Sequence, residues 1–172
     1  WPQILRNWGW VFVGNFMGAL TVALMMSFIF TYGFNTEGGD IATKVASIGE
    51  ARTIGYAKYG IAGWFTIFVR GMLCNWMVSL GVVGAMISTN VSGKVIAMWM
   101  PIFLFFFMGF EHSIVNMFLF PFSMIMGGEF TISDYLIWNE IPTVLGNLVG
   151  GFLLVGLPLY WTHVRTSAER KL

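Results

Sequence analysis

Phe105-Phe106-Phe107-Met108-Gly109-Phe110-Glu111-His112-Ser113-Ile114-Val115-Asn116-Met117 is the centre of an apolar run that extends from Val95 to Met126. A carboxyl group and an imidazole stand in the middle of a stretch that otherwise belongs in lipid. Ionisable groups are costly at bilayer depth, so where they occur they face a cavity or pathway and mark a functional site. At roughly 1.5 Å per residue the run would form a helix about 48 Å long, well beyond a hydrocarbon core of about 30 Å. It is therefore expected to break, and Gly109, beside the Glu-His pair, is the natural point.

Composition places the rest of the chain in the same setting. Of 172 residues, 57% are hydrophobic and only 10% charged, and the mean hydropathy is +0.75. These values lie far outside those of soluble domains and make a lipid bilayer the expected environment. A net charge of +1 leaves no global signature of nucleic-acid binding. The one cysteine, Cys74, lies within an apolar run, so no disulfide can form inside the chain. Neither a metal nor a cofactor is expected. The sequence opens on Trp1 with no basic segment and short apolar core of the signal-peptide kind, and it is read as truncated at its N-terminus.

Four segments are long and apolar enough to span: Trp8 to Tyr32, Tyr59 to Ile87, Val95 to Met126, and Ile141 to Trp161. They form a single transmembrane domain over residues 1–172. Arg6, Lys94, Arg165, Arg170 and Lys171 fall on one side of a four-span zigzag, whereas residues 127–140 carry Glu129, Asp134 and Glu140 with no basic residue. By the excess of Lys and Arg in cytoplasmic loops, both ends of the segment face the cytoplasm of a multi-pass cell-membrane protein. Residues 33–58 form a longer outer loop, in which Ile41, Val45 and Ile48 predict a short helix lying on the surface.

The first and last spans resemble each other. Gly14-Asn15-Phe16-Met17-Gly18 and Gly146-Asn147-Leu148-Val149-Gly150 carry an asparagine at the same place in a Gly-x-x-x-Gly frame. Such glycine pairs are common where membrane helices pack closely, but packing alone does not call for the asparagine. The two copies cross the bilayer in opposite directions, the pattern of inverted-topology repeats. Asn147 is a candidate for lining a pathway and Asn15 for bridging helices.

An enzyme is not indicated. Ser113 and His112 are sequence neighbours, which point apart on a helix, and no Gly-x-Ser-x-Gly elbow is present. A haem-binding subunit needs axial ligands at suitable depth, yet the second histidine, His163, lies beyond a span end. That subunit and a non-conducting membrane anchor are the alternatives to a pathway, and neither accounts for the paired Gly-Asn motifs.

Together, Gly109 to Met117, the Cys74-Asn75-Trp76-Met77-Val78 segment and Pro142 to Gly151 resemble the formate/nitrite transporter family, and the likeness covers nearly the whole chain. The resemblance implies an all-α, aquaporin-like protomer of inverted three-helix repeats, of which this chain holds the last four of six helices, with the third visible span broken. It implies a homopentamer with one pore per protomer, carrying small monovalent anions such as formate or nitrite. Residue by residue, it implies that His112 is the pore histidine and Asn147 the asparagine facing it, and that Phe105 and Val78 form apolar constriction positions. Glu111, Asn75 and Asn116 match a polar network supporting the break. Lys58 lies one position from the family's usual outer lysine, with anion attraction as its implied role.

The chemistry of the residues agrees with much of this. Glu111 and His112 are about 100° apart on a helix, so one can line a pathway while the other serves the break. A freed helix N-terminus near Ser113 presents unpaired N–H groups and a positive dipole end, which suits a small anion. Passage through an apolar constriction favours a neutral species, and a histidine can lend the proton. Arg70 lies five residues before Asn75, about 140° round a helix from it, which predicts pairing at a helix or subunit contact, with anion attraction as a lesser alternative.

Overall fold

The computed structural model describes residues 1–165; Arg170 and Lys171, on which the orientation argument partly rests, lie outside them. The described chain is built of helices: α1 (Pro2–Phe30), α2 (Gly39–Ala51), α3 (Ile54–Ala57), α4 (Gly60–Ile87), α5 (Val91–Phe107) and α6 (Ser113–Ile125). A last long helix, α7, runs over Ile132–Arg165. Three of them, α1, α4 and α7, are long and apolar enough to cross a membrane. The third apolar run is instead two shorter helices, α5 of 17 residues and α6 of 13, neither of which alone reaches across about 30 Å of hydrocarbon.

The residues fall into two compact units. One holds Trp1–Trp64 and Ser113–Ile141, the other Phe65–His112 and Pro142 onward.

In the first unit α1 and α2 pack on α6. The core is Ala23 of α1, Ala42 of α2, Phe122 of α6 and Met126 just after it, with Phe120, Phe130 and Tyr135 as a second cluster. Trp8, Trp10, Met17, Met25 and Phe28 of α1 are all exposed, and a helix that is apolar all round requires lipid or protein to cover it. Pro2 sits in its first turn, where a missing N–H costs nothing.

The helix expected on the surface of the 33–58 loop is α2, and it does not lie free. It buries the small residues Ala42, Ala46 and Gly49, whereas Ile41 stays exposed. A Cβ on Gly49 would collide with Ser123, so the glycine permits the close approach in which Ser123 Oγ donates to Val45 O at 3.0 Å. Packing by small residues replaced the amphipathic stripe on which the surface reading relied.

In the second unit α7 lies against α4, with Gly146 seated on the backbone of Phe68 and Gly150 on that of Met72. Gly81 of α4 approaches the backbone carbonyl of Ala97 on α5, and Gly84 approaches that alanine's Cβ.

The last helix starts earlier than the sequence reading placed it. Residues 132–140 are not an outer loop but the first turns of α7, opened by a capping box in which Thr131 Oγ1 accepts from Asp134 N and Asp134 Oδ2 accepts from Thr131 N at 2.8 Å. This reciprocal pair satisfies two otherwise orphaned donors and permits a helix to begin there despite the two acids. α1 likewise begins at Pro2 rather than near Trp8.

Candidate functional site

The end of α5 is the centre of the site, and it closes in a Schellman motif. Gly109 adopts φ +62°, its N–H bonds Phe106 O at 3.0 Å, and the N–H of Phe110 bonds Phe105 O at 3.0 Å. That left-handed residue closes α5, which is where a glycine is tolerated and most other residues are strained. The chain resumes as helix at Ser113.

The carbonyls freed by the break are taken up by side chains from the flanking helices. Arg70 of α4 donates from Nη2 to Gly109 O at 2.7 Å, with Met108 O at 3.4 Å. A cation on the last carbonyls of a helix complements the negative end of its dipole. Asn147 of α7 donates from Nδ2 to Glu111 O at 3.0 Å and to Gly71 O at 2.9 Å. Asn75 in turn donates to Asn147 O at 2.6 Å, so α4 and α7 are bonded to each other where they meet the break.

Around these bonds stand the residues that the sequence nominated. Glu111 is fully buried, and Phe105 is 3% exposed. The Phe105 and His112 rings are stacked with centroids 5.7 Å apart and planes 21° from parallel. Nδ1 of His112 is buried and makes no hydrogen bond, so this nitrogen is not spent on holding helices together. Val78 is half-buried, one turn beyond Asn75 on α4.

Two nominated residues belong to the other unit. Asn116 of α6 donates from Nδ2 to Asn139 Oδ1 at 2.7 Å, and Asn139 Nδ2 donates to Arg52 O at 2.9 Å. Lys58, at the end of α3, is exposed. Beside Asn116, Ser113 Oγ donates to Glu140 Oε1 at 2.5 Å, and Tyr135 Oη donates to Glu140 Oε2 at 2.8 Å. Asn139, Glu140 and Tyr135 escaped the sequence reading because it assigned residues 127–140 to a loop. The Thr131-Ile132-Ser133-Asp134 capping signature was the signal that places them on a helix.

An all-helical, multi-pass membrane protein with one span interrupted at a buried polar cluster is the class that this fold and site define. The formate/nitrite transporter family profile matches residues 1–161, and the chain belongs to that family, one of transporters rather than enzymes. It is 38% identical over 168 residues to a probable formate transporter of Methanothermobacter thermautotrophicus, covering 94% of this chain and 60% of that protein. The formate channel FocA of Haemophilus influenzae is 31% identical, with 90% of this chain and 58% of that one covered. The chain thus spans about 60% of the length of these curated relatives. Among solved structures, a pentameric formate channel with formate bound superposes with a TM-score of 0.74 at 27% identity, over 94% of this chain and 67% of that one.

Proposed function

We propose that this chain is part of a membrane channel or proton-coupled transporter for small monovalent anions, formate and nitrite foremost. The proposal includes a homopentamer of protomers made of inverted three-helix repeats, in which Asn15 and Asn147 are equivalent positions. Formate comes from the relatives named as formate transporters and channels, and the pentamer from the structural neighbour. Both described chain ends are placed on the cytoplasmic side by the distribution of Lys and Arg.

The observation that carries the reading is the chemistry of the break. Arg70 and Asn147 engage the carbonyls of Gly109 and Glu111, while Nδ1 of His112 in the same segment is buried and makes no hydrogen bond. In this reading His112 and Asn147 line the pathway with Phe105 and Val78 as its apolar constriction. Glu111, Asn75 and Asn116 support the break, and Lys58 draws anions to the outer mouth. Arg70, committed to Gly109 O, serves the break rather than the passing anion. An anion in an apolar passage is strongly disfavoured unless it is neutralised, and an imidazole with an ordinary pKa of about 6.5 can lend a proton near neutral pH.

The test is formate uptake into liposomes by the complete gene product between pH 5 and 8, normalised to assembled protein. His112→Asn retains hydrogen-bonding capacity and approximate size but does not titrate in this range. The expected result is loss of the pH-dependent component with residual anion conductance. A mutant profile superimposable on wild type eliminates proton exchange at His112.

A further inference from the structure

The turn of α7 just after its capping box is a π-helical stretch, Leu136–Glu140. A wider turn lessens the angle between successive side chains, and such bulges are frequent at functional sites. Here it directs two neighbours, Asn139 and Glu140, at one helix: Asn139 accepts from Asn116 and Glu140 accepts from Ser113, both on α6. Glu140 is only 5% exposed and Ser113 6%. The second carboxyl oxygen of Glu140 is held by Tyr135, whose ring is stacked on Phe120 in the core with centroids 4.6 Å apart.

Apolar side chains of similar size would join α6 to α7 at lower cost than a buried carboxyl group. What they would not do is hold one particular atom. Ser113 is the residue at which the break ends, and it directly follows His112. Its hydroxyl has one proton, and that proton goes to Glu140. The bond ties the first residue of α6 to one place on α7.

We propose that Glu140 is a positioning residue for anion passage: by fixing Ser113 Oγ, with Tyr135 as its brace, it sets where α6 starts. This rests on the reading of the break as the pathway.

The experiment uses the complete gene product in liposomes, with formate and lactate as probes, and compares wild type, Glu140→Leu, Glu140→Gln, Ser113→Ala and the Ser113→Ala/Glu140→Leu pair. Loss of one buried hydrogen bond to a carboxylate corresponds to about tenfold, so Glu140→Leu and Ser113→Ala should each change the half-saturating formate concentration and the formate-to-lactate ratio by about that factor. The pair should be no worse than either single variant, and Glu140→Gln, whose amide oxygen still accepts, should stay within about threefold of wild type. A purely structural role would lower the yield of assembled protein without moving these ratios. Ratios unchanged in Glu140→Leu, or effects that multiply in the pair, overturn the proposal. Amide hydrogen exchange over residues 109–116 provides a readout that needs no transport, and is read on Ser113→Ala if Glu140→Leu does not assemble. Faster exchange in Ser113→Ala and Glu140→Leu, reversed in Glu140→Gln, is expected, and unchanged exchange refutes the anchor. Absence of formate uptake by the wild type refutes the pathway reading instead, with the exchange data still deciding on Glu140.

Discussion

Gly150→Ala adds a single methyl group, and the structure predicts both the sign and the size of its effect. In an exposed helix this substitution stabilises by about 1 kcal/mol through intrinsic helix propensity. At Gly150 the new Cβ would be driven into the backbone carbonyl of Met72 on α4. A carbonyl cannot rotate away as a side-chain tip can, so overpacking belongs at the upper end of its usual range, about 3 kcal/mol. The net expectation is destabilisation by roughly 2 kcal/mol. Gly156, six positions further on the same helix, is the internal control, because its Cβ would meet only Gly151 O at an ordinary 3.5 Å. There the propensity gain should survive, leaving Gly156→Ala more stable by up to about 1 kcal/mol. The two variants should differ by about 3 kcal/mol, or more than a hundredfold in the folding equilibrium. Reversible unfolding of the complete protein in mixed micelles with rising SDS measures this difference directly. A Gly150→Ala protein as stable as wild type, or a Gly156→Ala protein equally weakened, would refute the claim that α7 is seated on the α4 backbone at this point.

Further outcomes follow from the side chains at the break. Phe105→Ala removes the ring stacked on His112 and should raise lactate uptake relative to formate in assembled protein; an unchanged ratio removes Phe105 from the constriction. Asn147→Leu withdraws the donor to Gly71 O and Glu111 O and should cost about 1–3 kcal/mol per carbonyl, read in the same SDS titration. Asn147→Asp should be worse than leucine at pH 8, because a carboxylate only accepts and would face two carbonyls. It should partly recover at pH 5, where a protonated acid regains one donor; equal stability at the two pH values would count against this geometry.

The break was legible because two independent facts converge on it: the apolar run is too long for one span, and a glycine sits beside its ionisable pair. Gly109 closing a Schellman motif is the realisation of that argument. Arg70 was only half legible. Its angle from Asn75 on α4 is a property of one helix, whereas its partners lie 38 and 39 residues away in sequence, and no local periodicity encodes such a contact. Glu140 was not legible as a site residue because charge at the end of an apolar segment ordinarily means solvent, whereas the Thr131–Asp134 capping box carries the helix past it. The Gly-Asn motifs illustrate a different limit. Gly146 and Gly150 press against α4, yet a Cβ on Gly14 or Gly18 would meet nothing within 4 Å among the described residues. Asn15 donates to Val11 O of its own helix, while Asn147 reaches across to Gly71 and Glu111. Equal sequence spacing establishes equal local geometry, and the neighbours determine what that geometry is used for.

Arg70 and Asn147 also bear on what the proposed passage refuses. Unwound membrane segments expose main-chain oxygens, and in many transporters and channels such oxygens replace the water shell of sodium or potassium. Here the oxygens of Gly109 and Glu111 already accept from a guanidinium and an amide. A metal cation arriving at this interruption would have to displace a fixed positive charge to gain a ligand, and would leave that charge stranded beside it. For the proposed pathway, rejection of cations would thus follow from the way the broken helix is tied off, with no need of a ring of charge at either mouth.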